Sequence, residues 1–385
     1  MKRISLIAIM ALMGIGSVAA KSSTTLPIVG EVVKATNPLI QYVGRVSFAK
    51  NETASFNFPG TSIFARFQGS SLKMICRPMT GYFMAQVDGC EPFKVGFNAE
   101  RDSVVTVAAA LPKGEHQVKL MYVIEGLFRT PEFRGFVLDK GCSLVKSPDL
   151  PERKIEFIGN SITCGYGVES IEMTDPFEDE TENHWLTYAN IVSDSLNAQH
   201  TSISRSGIGV YRNYDGPKAG SDENMPWQYE YTLFNKHDEK WNFNKYQPQL
   251  VCINLGTNDL STNNYDIALY EKNYRMFLTT VRSKYPNAKI VLITGPMLGE
   301  KESGEQREVL DRICSDANKK GFTLPEEVRK ARKGKNKGDK DIYRFDFTFQ
   351  TGDLGYGASW HPSKLQHQKM ADELLPFLRN LMGWE

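Results

Sequence analysis

Four short segments of this chain place chemically capable side chains where an apolar run meets a turn. In Lys154-Ile-Glu-Phe-Ile-Gly-Asn-Ser-Ile-Thr-Cys-Gly-Tyr-Gly167 an apolar strand ends in a small-residue turn with Ser161 at its tip. A hydroxyl held there lies at the carboxyl edge of a sheet, where open α/β folds place their ligands. The same turn leaves the following backbone N–H groups free to meet an anion. Gly-Asn-Ser is also ordinary turn chemistry, so this segment alone decides nothing. In Leu250-Val-Cys-Ile-Asn-Leu-Gly-Thr-Asn-Asp259 the pattern recurs, and the Asn258 amide can donate to a developing negative oxygen without a charge of its own. The plainer reading has Asn258 and Asp259 capping the next loop. In Gly357-Ala-Ser-Trp-His-Pro-Ser363, Pro362 suits a first helical position and sets His361 at the helix entrance. His116, His184, His200, His237 and His367 compete as bases, but none follows a strand exit so closely. Finally, Ser204-Arg-Ser-Gly-Ile-Gly-Val-Tyr-Arg-Asn213 carries Gly207 and Gly209, either of which lets backbone approach a reacting group. A histidine at that helix entrance could reach a serine from another loop, and the N–H of Gly207 or Gly209 could join that of Ser161 and the Asn258 side chain in a three-donor anion pocket.

The elements that must position these groups come in two halves, and a two-domain chain is expected. From about residue 40 to 148 short alternating strands follow one another: Ala54–Phe58, Ser62–Phe67, Ser71–Cys76, Tyr82–Val87, Ser103–Val107 and His116–Val123. No helix-length period interrupts them, which predicts an N-terminal antiparallel β-sandwich of the jelly-roll kind over residues 21–150. Past Ser147-Pro-Asp-Leu-Pro151 the pattern changes. Near-continuous apolar strands (Ile155–Ile158, Thr201–Ile203, Leu250–Leu255, Ile290–Ile293, Tyr343–Phe347) alternate with amphipathic stretches (Asn183–Leu196, Tyr265–Lys284, Glu302–Lys320, Lys364–Leu381). Buried parallel strands with crossover helices read this way, so residues 151–385 are expected to form a three-layer α/β domain on a parallel sheet.

Taken in order, the blocks at Ser161, Gly207, Asn258 and His361 resemble the SGNH (GDSL) hydrolase superfamily. The sandwich, opening with Tyr42-Val-Gly-Arg-Val46 and joined directly to the Ser161 block, is similar to that of carbohydrate esterase family 2. That family joins a jelly roll to an SGNH domain and removes O-acetyl groups from plant polysaccharides such as xylan and glucomannan. The resemblance implies Ser161 as nucleophile and His361 as base. It implies an oxyanion site from the N–H groups of Ser161 and Gly207 and the Asn258 side chain, with Gly209 as rival to Gly207. Two positions depart from the superfamily pattern: the aspartate usual three residues before the histidine is Ala358, and the one before the serine is Asn160. The family's Ser–His dyad implies that a backbone carbonyl near Trp360 orients His361, with Asp353 as the rival orienter. A free histidine titrates near pH ~6.5, so activity is expected to decline in acid.

The rest of the sequence bounds the surroundings. Met1 to Ala20 has a basic start, an apolar middle and a small-residue end, the pattern of a secretory signal. The mature protein is therefore expected to be soluble and exported, to a periplasm or out of the cell. Losing Lys2 and Arg3 with that segment leaves 44 basic residues against 45 acidic ones. A near-neutral chain argues against nucleic acid, and the one basic run, Arg329 to Lys337, reads as a solvated helix end and loop. Six cysteines without a Cys-x-x-Cys pair make zinc and redox roles poor readings. Cys252 reads as a buried thiol, and one bridge among Cys76, Cys90 and Cys142 stays open. No metal or other cofactor is expected. An acetylated polysaccharide or oligosaccharide is the expected partner, with Trp360 as first sugar platform and Trp185 and Trp227 behind it. The polar stretch Asp215 to Lys240 speaks for a polar substrate over the alternative of a lipase or thioesterase. A catalytically silent glycan-binding protein is the other alternative, and Ala358 is its support.

Overall fold

The computed structural model describes residues 28–50, 52–100, 103–129, 131–320 and 340–385. The expected signal segment and the basic run Arg329 to Lys337 lie outside them. Alternating strands in the N-terminal half pair only antiparallel and form two stacked sheets. One orders Glu31–Lys34, Glu132–Leu138, Leu72–Cys76 and Val104–Ala108, with Ala54–Ser55 also on Glu132–Leu138. The other orders Leu144–Val145, Ser62–Gly69, Gly114–Tyr122, Gly81–Val87 and Phe93–Phe97, with Gln41–Val43 on Ser62–Gly69. Their inward residues, among them Phe56, Phe67, Phe83, Phe97, Leu120 and Phe136, fill one core. Glu132–Leu138 escaped the sequence reading because it bulges between Phe133 and Gly135, which breaks the alternation that marks a strand. The predicted strand Ala54–Phe58 pairs over only two residues.

In the second half five strands run parallel in the order Ala198–Ser204, Arg153–Gly159, Leu250–Asn254, Lys289–Thr294, Ile342–Asp346. Alternate residues feed two cores. Ile155, Phe157, Leu250 and Cys252 meet helices Tyr188–Ser195 and Lys364–Met382. On the other face Ile158, Val251 and Ile253 meet helix Ile267–Lys284 and helix Glu300–Lys320. Burial on both faces explains why these strands read as continuous apolar runs. The predicted helix Asn183–Leu196 is interrupted: Thr187 is extended (φ −81°, ψ 158°) and separates a 3-10 turn, His184–Leu186, from Tyr188–Ser195. All six cysteines are free, so the open bridge among Cys76, Cys90 and Cys142 does not form.

Chain order reverses on either side of Arg153–Gly159, and such a reversal opens a crevice at the carboxyl ends of the strands. Ser161 follows one strand bordering it and Asn258 follows the other. The stretch Asp215 to Lys240 divides between two contacts. Its first part meets the loop that carries Gly207 and Gly209: the Met225 N–H donates to Gly209 O, and the Glu223 carbonyl accepts from the Arg205 and Asn213 side chains. Its hairpin, Tyr231–Leu233 with Lys236–Lys240, docks on the sandwich. There Ser47 donates to Glu239, Asn57 to Asn235, and the buried Arg45 guanidinium to the Tyr229 and Tyr231 carbonyls. The polar groups serve the contact between the two halves.

Candidate active site

Ser161 is the first residue of a one-turn helix, Ser161–Cys164, that leaves the Arg153–Gly159 strand directly. Asn160 caps this helix, accepting from the Ile162 N–H at 3.0 Å, so an uncharged amide does the capping. At the helix's other end His184 donates from Nδ1 to the Thr163 carbonyl at 2.8 Å. A first helical residue has no intrahelical acceptor for its own N–H. The Ser161 N–H finds none elsewhere among the described residues either.

His361 Nε2 lies 2.8 Å from Ser161 Oγ. Its Nδ1 lies 3.0 Å from the Ala358 carbonyl and 3.2 Å from that of Ser359. A carbonyl only accepts, so Nδ1 carries the proton and Nε2 turns a lone pair to the serine hydroxyl. Asp353 is not at the ring: it is exposed and accepts from Thr351 Oγ1 at 2.8 Å. Withdrawal from water pushes the imidazole down to about 4, against the opposing pull of the two carbonyls.

The turn that presents those carbonyls is strained. Ser359 (φ +50°) and Trp360 (φ +58°) are consecutive left-handed residues, each costing about 1–3 kcal/mol. Five hydrogen bonds hold the turn. The Ala358 N–H donates to Gly167 O, the Gly357 N–H to His361 O and the Trp360 N–H to Met173 O. The His361 N–H donates to Ala358 O, and Gln350 Nε2 to Trp360 O. Gly167 has to be small: a Cβ there would sit 2.3 Å from the Ala358 Cβ. Where the resemblance leads one to expect an aspartate, this chain has a wholly buried alanine, Ala358, wedged against a glycine.

Asn258 is buried, and its Nδ2 donates to the Ile208 carbonyl at 2.8 Å, leaving its second N–H for another acceptor. Gly207 is left-handed (φ +73°), and a Cβ there would meet only Tyr214 Cβ, 4.0 Å away; its carbonyl accepts from Tyr214, and its N–H has no acceptor among the described residues. Gly209, the rival, has its N–H bound to Asn213 Oδ1 at 3.1 Å. The loop is pinned by Asp259, whose carboxylate accepts from the N–H groups of Val210, Tyr211 and Arg212 at 3.0, 2.8 and 3.1 Å. Asp259 therefore does more than cap its own loop. It ties the Asn258 turn to the Gly207 loop while burial lifts its pKa to about 6.

The sequence reading missed Tyr166, whose ring stacks on His361 with centroids 4.1 Å apart and is backed in turn by Phe177. Its signal was an aromatic flanked by two glycines just past the serine. Trp360 is 52 % exposed beside His361. Trp185 and Trp227 make their contacts elsewhere. Trp185 packs on the sandwich core beneath the Lys119 ammonium, and Trp227 packs against Tyr231 and His237. The rival histidines have other partners: His116 pairs with Asp88, His237 with Phe234 O, His184 with His200, and His367 lies behind Tyr188.

Two family models match the chain, one described as Carbohydrate esterase 2 N-terminal over residues 42–148 and one as GDSL-like Lipase/Acylhydrolase over residues 155–374. The "Cellulase/esterase CelE" of Acetivibrio thermocellus is 34% identical over 351 residues, which is 90% of this chain and 40% of that protein, so the chain spans well under half of its length. An "Acetylxylan esterase / glucomannan deacetylase" of Cellvibrio japonicus is 27% identical over 358 residues, 91% of each chain. Among solved structures, a family two carbohydrate esterase from Clostridium thermocellum in complex with cellohexaose superposes with a TM-score of 0.79 at 33% identity, covering 90% of this chain and 100% of that one.

Proposed function

The chain belongs to carbohydrate esterase family 2, and we propose that it is an exported serine esterase removing O-acetyl groups from a plant-type polysaccharide such as xylan or glucomannan. The observation that carries this reading is the 2.8 Å contact between Ser161 Oγ and His361 Nε2, with Nδ1 already committed to two carbonyls. His361 takes the serine proton as Oγ attacks the acetyl carbonyl. Negative charge gathers on the carbonyl oxygen, where the N–H groups of Ser161 and Gly207 and the second N–H of Asn258 receive it. His361 returns the proton to the leaving sugar oxygen, which departs as a hydroxyl and leaves acetyl-Ser161. It then activates water to release acetate and restore the serine.

The substrate class is supported by the names of the relatives and by the exposed Trp360 ring next to the base. Export is supported by the residue pattern of Met1 to Ala20. Acetate release from acetylated xylan, glucomannan and pectin, with Ser161→Ala alongside, tests the reading. Release from the first two that vanishes in the variant is expected. Wild-type protein inert on all three and on 4-nitrophenyl acetate would reject it in favour of a silent glycan-binding protein, and preference for long acyl esters would favour a lipase.

A further inference from the structure

Glu125 belongs to the sandwich side of the molecule, three residues beyond the strand Gly114–Tyr122, and it is wholly buried. Its Oε2 accepts from the Ser206 N–H at 2.6 Å and from the Cys164 thiol at 3.7 Å. Its own N–H donates to Glu182 Oε2 at 2.9 Å. Among the described residues, Glu125, Cys164 and Glu182 form a buried group whose polar atoms all lie within 4.8 Å of one another. Both residues that the carboxyl group touches adjoin the oxyanion donors. Cys164 closes the helix that Ser161 opens, and Ser206 immediately precedes Gly207.

Burying a carboxyl group is costly, and an apolar side chain would fill the same space without that cost. A leucine could not accept a hydrogen bond from the half-buried Ser206 amide, which would lose its partner within the protein. Burial raises the pKa of both carboxyl groups, Glu182 furthest, and the Ser206 hydrogen bond opposes the rise at Glu125. Each group therefore holds its proton to a higher pH than a free carboxyl group does.

We propose that Glu125 is a positioning residue for the deacetylation: reaching across from the sandwich, it holds the Ser206 amide and the Cys164 thiol together and so sets the spacing of the Ser161 and Gly207 N–H groups. The inference rests on the serine-esterase reading, because only there do those two N–H groups act as a pair. It also gives the sandwich a part in the chemistry, since one of its side chains completes the support of the site.

The test compares Glu125→Ala, Glu125→Asp and Glu125→Gln in the full chain, with kcat normalised to the burst of acetylated serine on 4-nitrophenyl acetate. That normalisation removes any effect of a smaller folded fraction. Asp keeps the carboxyl group but is one methylene short of Ser206, whereas Gln keeps the reach and an acceptor oxygen. Expected is a fall in kcat of about tenfold or more for Ala and Asp, with KM within about twofold, because displaced donors act on the transition state. Gln is expected to recover kcat to within about threefold of wild type. If Ala does not fold, Asp and Gln decide. Wild-type kcat in Asp, or equal losses in Asp and Gln, overturns the proposal. Ser161→Ala separates the two readings: turnover surviving in it rejects the serine mechanism, whereas a silent Ser161→Ala beside a fully active Glu125→Asp rejects the positioning role alone.

Discussion

At the scale of single residues, His361 differs from a triad histidine in having dipoles rather than a charge behind it. The Ala358 and Ser359 carbonyls fix its tautomer but offer little to the imidazolium that forms when the serine proton arrives. Burial sets its pKa at about 4, and only the neutral ring can act as base. The sign follows directly: protonation abolishes activity, and a lowered pKa moves that loss to lower pH. The acid limb of kcat/KM is therefore expected well below the ~6.5 of a free histidine, and a limb at 6.5 in a pH–rate profile would contradict the buried geometry. Asp353→Asn should leave kcat within about twofold of wild type, because that carboxylate bonds to Thr351 and not to the ring. Asn258→Ala should lower kcat about a hundredfold or more, since it removes a proposed oxyanion donor together with the bond to Ile208 O. Steady-state kinetics on 4-nitrophenyl acetate reads both.

At the scale of elements, the decisive piece is the turn Gly357 to His361 and the segment it leans on. Two left-handed residues in a row are tolerated because Gly167, Met173 and Gln350 bind the turn from outside. Gly167 and Tyr166 are neighbours, so the segment that wedges the turn also stacks a ring on the imidazole. A Cβ at Gly167 would drive into Ala358 from a left-handed backbone (φ +57°). Gly167→Ala is therefore expected to lower kcat by at least about tenfold and to cost about 1–3 kcal/mol of stability. Kinetics paired with denaturant unfolding checks this; unchanged kcat would show that the turn can give way without moving His361.

At the scale of the whole molecule, the two halves share buried groups. Arg45, from the Tyr42 to Val46 motif, lies among the rings of Phe58, Tyr229, Trp241 and Phe243 while donating to the carbonyls of the docked hairpin. Below it Glu156, in the strand that leads to Ser161, accepts from the hydroxyls of Tyr229 and Tyr285 at 2.6 and 2.8 Å. Removing a buried charge from such a network typically costs about 3–5 kcal/mol. Arg45→Ala should lower stability by that order, and calorimetry of the wild type should show one cooperative transition. Two separate transitions would mean that this interface does not couple the halves.

Period and punctuation in the sequence determined the two halves, the parallel strands and the turns bearing Ser161, Asn258 and His361, because strand alternation, continuous apolar runs and small-residue exits are local properties of the chain. The bulged strand Glu132–Leu138 and the break at Thr187 lay beyond that reading, since local irregularity hides the period. Only the tertiary structure decided what lies beside what. It engaged the Gly209 N–H with Asn213 while that of Gly207 meets no acceptor among the described residues, and it put carbonyls rather than Asp353 at His361 Nδ1. It also stacked Tyr166 on the base and brought Glu125 from the other half to Ser206. These contacts join residues of any separation in sequence, and their geometry depends on packing and backbone torsions that no local pattern records.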